Sequence, residues 1–314
     1  MKKAYVCLCV AVLGLSSLLF AAEYPVKDIT FVVPFDAGGT ADIPARIVAR
    51  YMSKYSERQV VVVNMPGAGG AIGAREVMKA KPDGYTVMHV AAGIPMQYAL
   101  GNITYTYKDF EPVAIWLDSY LALVVQSSSP YKTLGDLVAA AKEQPGKIRI
   151  GAVPGTIPLF AELKIMDYEQ ADFNIVDLAL TSKAPELLSG RISAYVDGLG
   201  AVKQFVDSGD FRCLGVFSGK RLAAYPDIPT FGEMGYENIE FLNQFFGMWA
   251  PKGTPPEAIA YLIDLLEKAA ADPECKAELA KLSVDPTAVS GDDYVKTMER
   301  VYAAFGQFAK KLVK

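Results

Sequence analysis

Short β-branched runs alternate with helix-periodic stretches near the start of the polar chain, and this alternation restricts the fold more than any other feature. Ile29–Pro34 is β-rich. Ala41–Tyr55 carries Ile43, Ile47, Val48 and Tyr51 at helical spacing. Val60–Val63 is an unbroken β-branched run, of the kind buried on both faces of a sheet. Ala71–Lys81 reads as a helix, Pro82-Asp83-Gly84 as a turn and Tyr85–Ala91 as the next strand. Strand–helix–strand units at this rhythm predict βαβ units and a parallel sheet. The rhythm returns with strands expected at Leu121–Gln126, Lys147–Ala152, Phe173–Leu178, Ile192–Val196 and Arg212–Val216. Helices are expected from a Thr133–Asp136 capping box to Lys142, and over Leu159–Asp167, Ala184–Ser189 and Ala201–Val206. After a loop-rich stretch, Leu222–Asn243, and an aromatic run, Phe245–Ala250, three helical segments close the chain at about Pro256–Ala271, Glu274–Lys281 and Asp292–Lys311. A chain of 314 residues accommodates two lobes of ordinary size.

The N-terminus has a layout of its own. Lys2 and Lys3 precede an uncharged, mostly apolar run, Ala4 to Phe20, and Ala21 and Ala22 precede the polar Glu23. This is the order of a cleavable secretory leader, expected at 1–22. An uncleaved anchor is the other reading, although the run sits at the short edge of the roughly 17–25 residues that span a bilayer. Cys7 and Cys9 lie within the run, too early for a lipoprotein cysteine. That leaves Cys213 and Cys275, too far apart in sequence to make a disulfide framework and expected unpaired. Export places the mature protein in the periplasm.

Composition excludes several functions. The chain is 52% hydrophobic and 21% charged with a formal net charge of -4, and its basic residues are scattered, so a nucleic-acid partner is not expected. His89 is the only histidine, and its strand position points to the core, as does the setting of Trp116 and Trp249. The apolar residues of Ile259–Leu266 likewise read as a packed helix face. There is no G-x-S-x-G elbow, no Cys–His pairing and no zinc set. The expectation is no catalytic residue, no metal, no cofactor and no enzyme.

Two glycine-rich loops hold the candidate chemistry: Pro34-Phe-Asp-Ala-Gly-Gly-Thr-Ala-Asp42 and Pro66-Gly-Ala-Gly-Gly-Ala-Ile-Gly73. Each follows a strand and opens a helix, where backbone N–H groups lie unpaired at the positive end of the helix dipole. Side by side at the carboxyl edge of a parallel sheet, they would make an anion pocket; the alternative is two tight turns without a ligand. The second loop runs G-x-G-G-x-x-G from Gly67 and misses the dinucleotide order. Gly215-Val-Phe-Ser-Gly219-Lys220-Arg221 is one residue short of a phosphate-binding loop.

The combination Tyr24-Pro-Val-Lys…Val33-Pro-Phe-Asp-Ala-Gly-Gly-Thr-Ala-Asp42…Arg46, Asn64…Pro66-Gly-Ala-Gly-Gly-Ala-Ile-Gly73 and Pro82-Asp-Gly-Tyr-Thr86 resembles the substrate-binding proteins of tripartite tricarboxylate transporters, the Bug or TctC family. Leu214-Gly-Val…Lys220-Arg221…Pro226-Asp-Ile-Pro-Thr230…Glu233-Met-Gly235, Trp249-Ala-Pro-Lys-Gly-Thr254-Pro and Asp272-Pro-Glu274 extend the resemblance over nearly the whole mature chain. It implies an α/β, two-lobed periplasmic-binding-protein fold of type II character, each lobe a central, mostly parallel sheet flanked by helices. Lobe one would span 23–121 and 245–314, lobe two 122–244. The ligand, a small organic carboxylate, would lie between them, and the loaded monomer would dock on the large and small membrane subunits of a permease. Carried over onto this sequence, the first loop would supply Phe35, Ala37, Gly38, Thr40 and Asp42, the second Ala68, Gly69 and Gly70, and lobe two Gly155 and Thr156. Several positions depart from or loosely fit the family pattern: Asp36, Asp177 and Ser182, and Pro158 and Leu159, which stand where a histidine often follows Gly-Thr. If Asp36 and Asp177 face the pocket they would favour an amine-bearing carboxylate; otherwise they face solvent. A sensor subunit presenting ligand to a receptor, or an exported enzyme on the same scaffold, are the competing functions.

Overall fold

The computed structural model describes residues 24–312 apart from 40, 92, 155, 180, 181, 223, 238, 240, 241 and 243. The leader expected at 1–22, Thr40 and Gly155 lie outside the described residues. The two opening β-branched runs form β1 (Ile29–Val33) and β2 (Val60–Asn64), joined through helix α1 (Asp42–Lys54). They pair in parallel, from Ile29 opposite Val60 to Val33 opposite Asn64. Helix α2 (Ala71–Lys79) returns the chain to β3 (Thr86–Ala91), parallel to β1 on its other side. Then come α3 (Gly93–Ala99) and β4 (Phe110–Ser119), whose end leads out of this sheet.

The second sheet starts two residues later with β5 (Leu121–Gln126). It is built with α4 (Leu134–Glu143), β6 (Arg149–Ala152), α5 (Ile157–Glu169), β7 (Asn174–Asp177), α6 (Lys183–Leu188), β8 (Ala194–Gly198), α7 (Leu199–Asp207) and β9 (Phe211–Val216). The expected capping box is present on α4: the Asp136 N–H donates to Thr133 Oγ1 at 3.1 Å and the Thr133 N–H to Asp136 Oδ2 at 2.9 Å. The chain re-enters the first sheet with β10 (Gln244–Pro251), followed by α8 (Pro256–Ala271), α9 (Pro273–Ala280), β11 (Val284–Ser290) and α10 (Gly291–Leu312).

The sheet orders are β11-β4-β10-β3-β1-β2 and β7-β6-β8-β5-β9, one for each lobe of a two-lobed α/β protein. One expectation needs correction: the sheets are mixed, not mostly parallel. Only β1 with β2 and β3, and β6 with β7 and β8, pair in parallel; β10 lies antiparallel between β3 and β4, and β5 antiparallel between β8 and β9. The cause is the return path, which brings β10 in from the second lobe to cover the open side of β3.

Three elements carry no clear sequence signal. β4 begins Phe110-Glu-Pro112 and its pairing with β10 is irregular. β11 holds Pro286 at a break in register, and α3 opens on Gly93 and contains Pro95. Proline and glycine read locally as breakers, but the edge position of β11 and the first turn of α3 tolerate them.

Trp116, Trp249 and His89 are buried, as expected. Leu262, Leu265 and Leu266 of α8 pack in the first lobe's core. Cys213 and Cys275 are unpaired, and burial pushes their thiols up to about 12 and about 11. The lobes meet away from the crossing strands as well. The 22-residue α10 packs along β4 and α3, and its Phe305 ring meets Phe160 of α5 edge-on at 5.2 Å. Near the crossing, Gly200 of α7 stands so close to the lobe-one turn that a Cβ there would lie 2.5 Å from the Leu282 carbonyl oxygen. Among the described residues no helix is long and apolar enough to cross a membrane.

Candidate functional site

Strand order determines where loops converge. β1 lies between β3 and β2, so the chain leaves it in one direction and returns on the other side; β6 stands in the same relation to β7 and β8. At such reversals in an open α/β sheet, the loops at the carboxyl ends of the strands diverge and leave a crevice. The two glycine loops, after β1 and β2, are at this edge of the first lobe, as the sequence predicts. The end of β3 at Ala91 and the start of α3 at Gly93 stand at the same edge, and α3 gives no sequence signal.

The loops pack on each other. Asn64 Nδ2 donates to the Phe35 carbonyl at 3.1 Å. A Cβ on Gly73 would sit 2.8 Å from Pro34 Cβ and 3.0 Å from the Met65 carbonyl oxygen, so only glycine permits this approach. The second loop curls through a 3-10 turn, Ala68–Gly70, in which Ala68 holds φ at +48° and Gly70 at +95°. A left-handed alanine costs about 1–2 kcal/mol, and such strain clusters where backbone must meet a ligand. Asp36, Ala37, Gly38 and Ala68 are exposed, and Phe35 is half-buried over His89 at 6.1 Å.

Asp42 differs from the expectation that it meets ligand. It is 2% exposed. Its Oδ2 accepts from the Gly38 N–H at 2.7 Å and Arg46 Nε at 2.9 Å, and its Oδ1 from Asn64 Nδ2 at 2.8 Å. Burial pushes this carboxyl up, but the Arg46 guanidinium, the Gly38 N–H and the Asn64 amide outweigh it and hold the group below the usual carboxylate range. Asp42 is therefore the internal brace of the first loop. The Gly38 N–H, expected to meet ligand, is occupied by that brace. Arg46 and Asn64, which bond each other at 2.6 Å, are the brace's other members.

Gly73→Ala is expected to push the two loops apart at Pro34 and so weaken the binding of a ligand seated on them by tenfold or more. Titration calorimetry beside a melting curve checks this: a loss of affinity larger than the loss of stability is the expected result.

His89 lies directly beneath. Its ring is fully buried among Phe246 at 4.8 Å, Trp116 at 5.5 Å and Phe31 at 6.1 Å, and neither ring nitrogen meets a hydrogen-bond partner among the described residues. Burial lowers it to about 3, against a smaller opposing pull from Asp42. Its folded value lies below its ordinary value of 6.5, so its contribution to stability is complete above 6.5 and is lost as pH falls toward 3. His89→Phe is expected to flatten the melting temperature over that window.

In the second lobe the sequence-chosen residues are more dispersed. Thr156 stands half-buried just before α5, its hydroxyl turned back to donate to the Val153 carbonyl at 2.7 Å and not to the helix. Asp177 is exposed at the end of the edge strand β7. Ser182 is half-buried before α6, with its hydroxyl donating to the Ala179 carbonyl at 2.8 Å. Sequence reasoning missed a charged group between them. β6 and β8 stop pairing after Gly151 and Tyr195 while β8 runs on to Gly198, which frees the Val196 peptide on that side. Glu162 of α5 accepts its N–H at 2.9 Å, and Lys183 of α6 donates to its carbonyl at 3.2 Å. Lys183 Nζ also pairs with Asp197 at 2.5 Å. Burial pushes the Glu162 carboxyl up to about 8, past the opposing effects of the Val196 N–H and Lys183.

A hollow of about 420 Å³ beside α8, lined by Glu111, Thr254, Pro256 and Ile259, includes none of these loops. It is an open groove on the flank of one lobe, with no convergent donors. Among the described residues no group of three His, Cys, Asp or Glu side chains could hold a metal.

Two glycine loops thus stand together at the strand-order reversal of the first lobe. The profile described as "Tripartite tricarboxylate transporter family receptor" matches residues 44–313. The chain belongs to that family. BugT of Bordetella pertussis is 32% identical over 81% of this chain and 79% of its own length. The structure of a TctC solute-binding protein from Polaromonas, solved without ligand, superposes with a TM-score of 0.83 at 28% identity, covering 92% of this chain and 99% of that one. An R. palustris protein solved with adipate gives a TM-score of 0.73 at 26% identity over 92% and 98%. The chain is thus a TctC-family solute-binding protein and not an enzyme.

Proposed function

We propose that this protein captures a small organic carboxylate in the cleft between its lobes and delivers it, as a monomer, to the large and small membrane subunits of a tripartite tricarboxylate transporter. The observation that carries the reading is the pair of interlocked glycine loops at the carboxyl ends of β1 and β2. They offer backbone N–H groups and a helix N-terminus to an anion without any cationic side chain. The relative solved with adipate supports a carboxylate ligand.

In this reading residues 35–37, 40 and 68–70 line lobe one, and 155, 156, 177 and 182 line lobe two. Asp36 and Asp177 lie on the rim. Lobe one is 23–121 with 245–314 and lobe two 122–244; sheet membership changes between Ser119 and Leu121 and again between Val216 and Gln244. The segment 1–22 directs export to the periplasm and is removed.

A thermal-shift screen against di- and tricarboxylates, aromatic acids, amino acids and acidic sugars tests the reading. A ligand at a hundredfold excess over its Kd stabilises by about 2.7 kcal/mol. One carboxylate should raise the melting point and be recovered unaltered; a panel with no response contradicts carboxylate capture.

A further inference from the structure

Among the described residues, the loops that follow β1, β2, β6, β7 and β8 contain no lysine, arginine or histidine, whereas the loop after β9, whose carboxyl end lies at the same edge as that of β8, carries Lys220 and Arg221, the latter held by Glu233. Two cations approach from behind, and both are engaged. Arg46 holds Asp42 and Asn64, and Lys183, with a side chain 2% exposed, holds Asp197 and the Val196 carbonyl. Asp197 is placed differently from Asp42. It lies one residue before the end of β8, past the last pair with β6, at the strand-order reversal of the second lobe, and its side chain is 19% exposed. Its Oδ1 accepts the Gly198 N–H at 2.8 Å and its Oδ2 is bound by Lys183, which aims the carboxylate and leaves each oxygen able to accept a further bond. Asp177, at the end of β7 in the same sheet, is exposed, so the second lobe presents carboxylate acceptors at this edge. A second carboxylate on the ligand would bring no hydrogen to the Asp197 carboxylate, itself an acceptor.

Building on the carboxylate-binding reading above, we propose that Asp197, positioned by buried Lys183, is the specificity residue of the second lobe. It selects small carboxylates whose opposite end carries a hydrogen-bond donor, a hydroxyl or ammonium group, over plain dicarboxylates. The first lobe's N–H groups hold the carboxylate, and Asp197 accepts from the donor. A site built to bond a donor discriminates strongly against ligands that lack it, because its own polar group is then left unpaired.

The test is titration calorimetry of the purified protein with straight-chain acids of four to six carbons whose far end is methyl, hydroxyl, ammonium or a second carboxylate, so that adipate is included. At the best chain length, the hydroxyl or ammonium acid should bind at least tenfold tighter than the dicarboxylate. Asp197→Asn, with its fold checked by melting, should reduce the ammonium-to-dicarboxylate ratio to threefold or less. A dicarboxylate that binds the wild type as tightly as its donor-bearing counterpart overturns the proposal, and so does a ratio unchanged by Asp197→Asn. If that variant does not fold, the wild-type series decides alone. Carboxylate binding without a preference defeats only this inference, whereas no binding by any member defeats the carboxylate reading with it.

Discussion

Asp42→Ala should lower stability by about 3 kcal/mol, from charge-assisted bonds worth about 1.5–3 kcal/mol each offset by re-solvation of the half-exposed Arg46, and should weaken carboxylate binding at least tenfold. The carboxylate is 2% exposed and takes donors from Gly38, Arg46 and Asn64, so its loss strands one backbone N–H and one side-chain amide inside the loop. The same atoms fix where loop 34–41 stands relative to β2, because Asn64 also bonds the Phe35 carbonyl. Stability and affinity should therefore fall together, measured by denaturant titration and calorimetry on one preparation. Unaltered affinity in a destabilised protein would show that the brace holds up the fold without shaping the site.

Glu162→Gln should change how stability depends on pH. Burial raises the Glu162 carboxyl to about 8, so between its ordinary value of 4.5 and about 8 the folded chain holds more proton than the unfolded one. Stability contributed by this group is complete below 4.5, is lost as pH rises through that window, and is level above it. Glutamine keeps an oxygen for the Val196 N–H at 2.9 Å but has no proton to lose. The variant should be more stable than wild type at pH 8.5, by on the order of a few kcal/mol, and about equal to it at pH 4. Melting curves at pH 4, 6, 7 and 8.5 read the slope directly; parallel slopes for the two proteins would mean that Glu162 titrates normally.

How far the sequence reaches is clearest at two places. The lobe-one loops were legible because their signals are local: β-branched runs mark β1 and β2, and glycines where only they fit mark the loops, as Gly73 does against Pro34. The role of Asp42 was not, because a carboxylate two residues past a glycine pair reads equally well as a ligand group or as a brace. Only the position of Asn64, brought alongside by strand pairing, decides between them. In the second lobe, Glu162, Lys183 and Asp197 lie on three separate elements and meet only because β6 stops short of β8. No spacing along the chain encodes that meeting. The mixed character of the sheets is of the same kind. β10 pairs with β3 and β4 across more than a hundred residues, and its aromatic run Phe245–Ala250 announces burial without direction.

The central claim is that backbone N–H groups of the two glycine loops hold a carboxylate. Amide NMR shifts on addition of the acid that stabilises the protein most test it directly. Large, saturable shifts are expected at Ala37 and Ala68, with the hollow lined by Glu111, Thr254 and Ile259 unaffected. Shifts confined to that hollow, or spread over the surface without saturating, would contradict it.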